Sequence, residues 1–243
     1  MRLSRRLAYA GVASRRASER LIAEGRVAVG GQVRCDPATD VGQDEPITVD
    51  GELVGQAEER VVYALNKPVR VLSTSDDPFG RRTVVSMVND PRRLYPIGRL
   101  DFDSEGLILL SNDGELAYAL THPRFEVEKV YEVRLSSGPL SRQALAALRA
   151  GVRLTDGMSA PAKVREIDRL TLEMRLREGR NRQVRRMLEA VGYEVRGLRR
   201  VAIGPLKLGS LRVGASRRLS RQEVAALRDA ALQGDGAGRR HAL

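Results

Sequence analysis

At 243 residues, 42% of them hydrophobic, the chain has enough apolar material to pack one or two domains. No apolar run approaches the roughly 20 residues of a membrane span, and the N-terminus lacks the apolar stretch of a signal peptide, so a cytoplasmic location is expected. One cysteine, Cys35, excludes an internal disulfide, two histidines (His122 and His241) without a Cys-x-x-Cys pair point to no metal, and the net charge of +11 implies a polyanionic partner.

The charge is clustered. Residues 1–34 hold eight Arg against two Glu, residues 35–59 hold eight acids and no base, and residues 177–218 hold twelve Arg or Lys against three Glu. Residues 3–10 and 15–24 are predicted to be short helices, separated by Gly11, with Ser14 capping the second and Gly25 stopping it. Leu3, Leu7 and Ala10 share one face, as do Ala17, Leu21 and Ile22, which leaves Arg5, Arg6, Arg15, Arg16 and Arg20 outside. Arg15 and Arg16 oppose the helix dipole in a first turn, a mismatch that a phosphate would reverse. Residues 27–34 form a hairpin around Gly30-Gly31, and a third strand follows at 47–49. Arg2-Leu3-Ser4-Arg5-Arg6-Leu7-Ala8, Gly11-Val12-Ala13-Ser14-Arg15-Arg16 and Gly25-Arg26-Val27-Ala28-Val29-Gly30-Gly31 make this head resemble the S4 RNA-binding domain. The alternative is a helix-turn-helix in a DNA major groove, for which Ala17, Glu19 and Ala23 supply few base-reading side chains.

A polar linker near residues 55–60 leads to a strand at 61–65, closed by Asn66-Lys67-Pro68. A loop at 73–78 and a short helix within 83–88 follow. Gly98-Arg99-Leu100-Asp101-Phe102-Asp103-Ser104-Glu105-Gly106 then runs into the apolar segment 107–110, a buried strand ended by Asn112-Asp113-Gly114. Asp101, Asp103 and Glu105 stand behind Arg99 on a loop entering a rigid strand, a place that can hold a reactive group still. The plainer reading makes them solvated turn formers. Beyond lie a helix at 115–120, an alternating strand at 127–135 that includes Tyr131, a helix at 141–150, and strands at 152–154, 162–167 and 170–176. Val184, Met187, Leu188 and Val191 recur at helical spacing, and Gly192 stops that helix. Arg182, Arg185 and Arg186 in its first turns, beside Arg180, have the wrong sign for the dipole, so something negative should sit there. Arg196, Arg199 and Arg200 line the next strand. Ser220 and Glu223 form a capping box for a last helix ending near Leu232, and Gly234 to Leu243 read as disordered.

Strands and helices without a regular alternation indicate an α+β protein. The expected domains are a small head of helices and a hairpin (1–58), a catalytic domain on a mixed, mainly antiparallel sheet flanked by helices (59–220), and a C-terminal helix and tail (221–243). No dinucleotide or P-loop glycine pattern and no Ser-His-Asp set occurs. An acidic loop, a strand aromatic and an arginine helix fit chemistry on an RNA base: a carboxylate kept ionised by a cation, and a tyrosine to stack on the base.

Gly98-Arg99-Leu100-Asp101 with Ser104-Glu105-Gly106-Leu107, then Asn112-Asp113-Gly114, Lys129-Val130-Tyr131 and Glu178-Gly179-Arg180-Asn181-Arg182-Gln183-Val184-Arg185-Arg186-Met187, resemble the RsuA/RluB-type ribosomal RNA pseudouridine synthases. That resemblance implies isomerisation of one uridine to pseudouridine without a cofactor, by a monomer acting on a stem-loop of 23S rather than 16S ribosomal RNA or on a precursor subunit. Asp101 would be the catalytic aspartate, attacking the flipped nucleotide or deprotonating its sugar. Tyr131 would pack on the uracil and help remove the C5 proton, and Arg185 would pair with Asp101. Arg5, Arg15, Arg16, Lys67, Arg99, Lys129, Arg180, Arg182 and Arg186 would support the site or contact RNA. Asp103 and Glu105 would be structural. A non-catalytic RNA-binding or ribosome-assembly protein is the alternative from another class, with a DNA-binding regulator behind it.

Overall fold

The computed structural model describes residues 1–42, 44–56 and 58–238, the side chains of 235–238 excepted. The chain divides into two units, Met1–Arg60 with Asp90–Arg93, and Val61–Asn89 with Leu94–Leu243. In the first unit, helices α1 (Leu3–Tyr9) and α2 (Arg15–Ala23) precede strands β1 (Val27–Val29), β2 (Gln32–Val33), β3 (Ile47–Val49) and β4 (Glu52–Leu53). These strands form a sheet of order β2-β1-β3-β4. Ser14 caps α2 by accepting the Ala17 N–H at 3.1 Å. The turn between β1 and β2 has Gly30 and Gly31 at φ +58° and +81°, the left-handed pair that a two-residue hairpin needs. Asp50 and Gly51, at +52° and +86°, repeat the device between β3 and β4, a strand not anticipated from sequence. Leu3, Leu7, Ile22, Val27, Val29, Val41 and Ile47 close the core of this unit.

The second unit contains strands β5 (Val62–Lys67), β6 (Tyr95–Ile97) and β7 (Glu105–Ser111), helix α3 (Gly114–Thr121), strand β8 (Lys129–Leu135) and helix α4 (Arg142–Ala150). Next come β9 (Arg153–Leu154), β10 (Gly157–Met158), β11 (Lys163–Glu166) and β12 (Thr171–Leu176), then helix α5 (Gln183–Ala190). The strands β13 (Val195–Ile203), β14 (Leu206–Lys207) and β15 (Ser216–Arg218) and helix α6 (Arg221–Gly238) complete it. The main sheet has the order β11-β12-β8-β13-β7-β5-β15, with β14 on β13 and β6 on β7. Only β13 and β7 pair in parallel among the described strands; the other ladders are antiparallel.

The run 107–110 reads as continuously apolar because β7 is buried on both faces. Leu107 and Leu109 join the cluster that α3 and α6 cover, while Ile108 and Leu110 join Val71, Val84 and Leu100 on the opposite side. The helix expected within 83–88 is a single 3-10 turn, Val85–Met87. The last helix does not end near Leu232 but continues to Gly238, so residues 234–238 have helical backbone; residues 239–243, with His241, lie outside the described residues. Tertiary packing holds α6 in place. Leu227 and Ala231 enter the core, Arg228 pairs with the buried Asp113 that caps α3, and a Cβ at Gly234 would lie 1.7 Å from the Phe125 carbonyl.

Candidate active site

A cleft of about 260 Å³ opens in the second unit. Its walls are the loop from Gly98 to Asp101 with Ser104, the strand residues Lys129, Tyr131, Leu198 and Arg200, and the turn from Glu178 to Val184 that leads into α5. Asp101 and Tyr131 are half-buried there, whereas Arg99 is exposed on the rim. Three segments distant in sequence thus meet because β8, β13 and β7 are neighbours in the sheet.

The loop carrying Asp101 is fastened from below by a residue whose expected role was different. Lys67 is fully buried at the end of β5, and its ammonium donates to the backbone carbonyls of Pro68 at 3.0 Å, Asp101 at 3.0 Å and Ser104 at 2.7 Å. A lysine has three donors, and this one spends them on pinning the loop backbone. Burial lowers its pKa to about 8, against the favourable charges of Asp101 and Asp103. Ser73 Oγ adds a bond to the Leu100 carbonyl at 2.7 Å.

The arginines of α5 are tied to acids of the protein itself. Arg185 does not pair with Asp101. It donates to the Asp103 carbonyl at 3.0 Å and the Val195 carbonyl at 2.9 Å, and its ion pair, at 3.2 Å, is with the Asp103 carboxylate. Arg182, at φ +48° ahead of the helix, meets the same carboxylate at 3.1 Å. Arg186 pairs with Asp156 at 2.7 Å. Arg180 binds Glu178 and the carbonyl of Met158, so its guanidinium holds the β9–β10 hairpin although it borders the cleft. Burial would raise the Asp103 carboxyl, but the Arg182 hydrogen bond and the charges of Arg185 and Arg182 outweigh it and hold the group below its ordinary value. The structural role expected for Asp103 is thus a specific one: it locks α5 to the loop two residues past Asp101. The Asp101 carboxylate itself makes no ion pair with any described residue.

Arg200, which the sequence places with Arg196 and Arg199 on a strand, has no role in the site expected from sequence. It is 4% exposed, lines the cleft, and donates from Nε to the Leu107 carbonyl at 2.7 Å. The available signal was its inward position in the alternation Leu198, Arg200, Ala202, all buried. Beside it, Gly106 sits at φ +105°, and a Cβ there would come within 2.3 Å of the Arg200 carbonyl, so this parallel contact requires glycine. Lys129 borders the same cleft, its pKa lowered to about 8 by burial and by the charge of Arg200.

In the first unit, Arg15 and Arg16 are exposed at the start of α2. Arg5 is half-buried and donates to the Tyr9 hydroxyl at 2.8 and 2.6 Å. Among the described residues, no group of three or more His, Cys, Asp or Glu is placed to hold a metal ion, and no helix is long and apolar enough to cross a membrane.

A family model described as RNA pseudouridylate synthase matches residues 61–190, and the S4 domain model matches residues 1–47. The chain is 43% identical to the ribosomal large subunit pseudouridine synthase B of Bacillus subtilis (strain 168), over 97% of this chain and 99% of that one. It is 35% identical to the dual-specificity RNA pseudouridine synthase RluF of Escherichia coli (strain K12), over 92% and 77%. A crystal structure of a pseudouridylate synthase matches with a TM-score of 0.69 at 31% identity, over 93% of this chain and 99% of that one.

Proposed function

This chain belongs to the RNA pseudouridylate synthase family and is an RNA pseudouridine synthase, and from that premise we propose that it isomerises a uridine of large-subunit ribosomal RNA, as a cytoplasmic monomer, with Asp101 at the reacting centre. The observation that carries the reading is the setting of Asp101: a half-buried carboxylate on the cleft wall, left without an ion-pair partner while its own backbone is held by Lys67. A carboxylate committed to structure would be paired, as Asp103 is.

The target nucleotide leaves its stack, at a cost of a few kcal/mol in rough terms, and its uracil enters beside Tyr131. Asp101 attacks the nucleotide or takes a proton from its sugar; the bond between N1 and C1′ breaks, the uracil turns, and C5 bonds to C1′. C5 gives up its proton and N1 gains one, so the product is an isomer and no other reactant is consumed. Tyr131 stacks on the ring and assists removal of the C5 proton. Arg182 and Arg185 act through Asp103, keeping the Asp101 loop fixed against α5, since geometry of this kind decides the rate.

The test is pseudouridine mapping in ribosomal RNA from cells lacking the protein, complemented with wild type or Asp101→Asn. One pseudouridine is expected to vanish in the deletion and to return with wild type alone, the variant keeping its RNA affinity. Restoration by Asp101→Asn would remove the aspartate from the chemistry, and an unaltered map in the deletion would favour a non-catalytic RNA-binding role.

A further inference from the structure

Of the cleft cations, Arg99 is exposed on the rim, but Lys129 and Arg200 lie inside and have no acid as ion-pair partner among the described residues. Arg200 Nε–H is satisfied by Leu107 and an Nη1–H points to the Arg99 carbonyl at 3.4 Å, but Nη2 is buried without any partner. The Lys129 ammonium makes no hydrogen bond or ion pair with a described residue. The influence of Asp101 falls on Lys67 and Arg182, whereas the charge acting on Lys129 is the like charge of Arg200.

The placement is built into the sheet. Arg200 stands opposite Tyr131 in the register of β13 with β8, and an irregularity directly after it puts Ala202 opposite Val130 and Ile203 opposite Lys129. Bulges of this kind re-aim side chains beside active sites. On its other flank Arg200 is pressed against Gly106 of β7. Buried charges in proteins are paired, and a buried donor left unmade is unfavourable. Here two like charges border one cleft, and no acid of the described residues forms an ion pair with either, although Asp101 lines the same cleft. Uracil is neutral; the anions an RNA substrate carries are its phosphates.

We propose that Lys129 and Arg200 together seat one backbone phosphate adjoining the target uridine, inside the cleft, with Arg200 Nη2 and the Lys129 ammonium as donors. This rests on the function proposed above and extends it. A phosphate can reach that depth only when its nucleotide has left the helix, so the contact favours the flipped state over the stacked one.

The test uses Asp101→Asn protein and a synthetic stem-loop of large-subunit ribosomal RNA centred on the mapped uridine, with the phosphate on its 5′ or 3′ side made neutral as a methylphosphonate. One neutral linkage is expected to weaken binding about tenfold and to lose that effect once Arg200→Gln or Lys129→Gln is added. The proposal is overturned if neither linkage weakens binding, or if the weakening persists undiminished in the added variants. Lys129→Gln anchors no backbone group, so it decides the matter should Arg200→Gln fail to fold. Absence of pseudouridine from the unmodified stem-loop after incubation with the unsubstituted protein is a separate result: it removes the proposed function, and the phosphate seat with it.

Discussion

Helices α2 and α5 both begin with arginines that oppose the helix dipole, yet the two starts are completed differently. At α5, Asp103 receives Arg182 and Arg185, and Asp156 receives Arg186. At α2, Arg15 and Arg16 are exposed and have no ion-pair partner among the described residues. One misfit of charge and dipole is resolved by acids inside the fold, and the other faces solvent without one among the described residues. A basic first turn therefore signals that an anion is needed without saying where it comes from.

The largest effect that would sharpen this contrast is expected from Arg185→Ala. Arg185 holds the Asp103 and Val195 carbonyls and is 13% exposed, so its loss should free the Asp101 loop. Single-turnover rates should drop about 100-fold, while the Kd for RNA stays within about threefold. Lost affinity with an intact rate would instead make Arg185 a phosphate contact and erase the distinction between the helices. At α2, Arg15→Ala with Arg16→Ala should weaken RNA binding about tenfold and flatten the slope of log Kd against log salt by about two, with thermal stability unchanged. A slope equal to that of wild type would mean that α2 meets no phosphate.

The smallest expected effect concerns the acid that completes α5. Because the folded-state pKa of Asp103 is lowered, its contribution to stability is fully present above the unfolded-state value of 3.8 and is lost as pH falls through the lower folded-state value. The carboxylate is half-exposed, so Asp103→Asn should reduce stability by no more than about 1 kcal/mol at pH 7. Urea unfolding should show that gap closing as the pH drops below 3.8. A gap of constant size in acid would mean that the pair acts through shape and not through charge.

The local elements were legible where local chemistry dictates them. Ser14 and Ser141 cap the helices they precede, Gly30-Gly31 turns the hairpin, and the spacing of Val184, Met187 and Leu188 places them in the core. Asp50-Gly51 was an equally good hairpin signal, hidden by the very short strand β4 that follows it. Residues 234–238 differ from the sequence expectation because the glycines after Leu232 argue locally against a helix, whereas α6 is held by Arg228, Leu227, Ala231 and the close approach of Gly234 to Phe125.

By itself the sequence determined the α+β class, the basic head, the order of the motifs and the prominence of Asp101 and Tyr131, because capping, periodicity and residue chemistry act over a few neighbours. The tertiary structure alone decided what each cation does. Lys67 became a clamp, Arg185 a partner of Asp103, and Arg200 a buried cation whose Nη2 has no acceptor. Charge is a property of the residue, but its partner is set by which strands lie side by side, and the chain that separates Asp101 from Arg200 carries no local record of that neighbourhood.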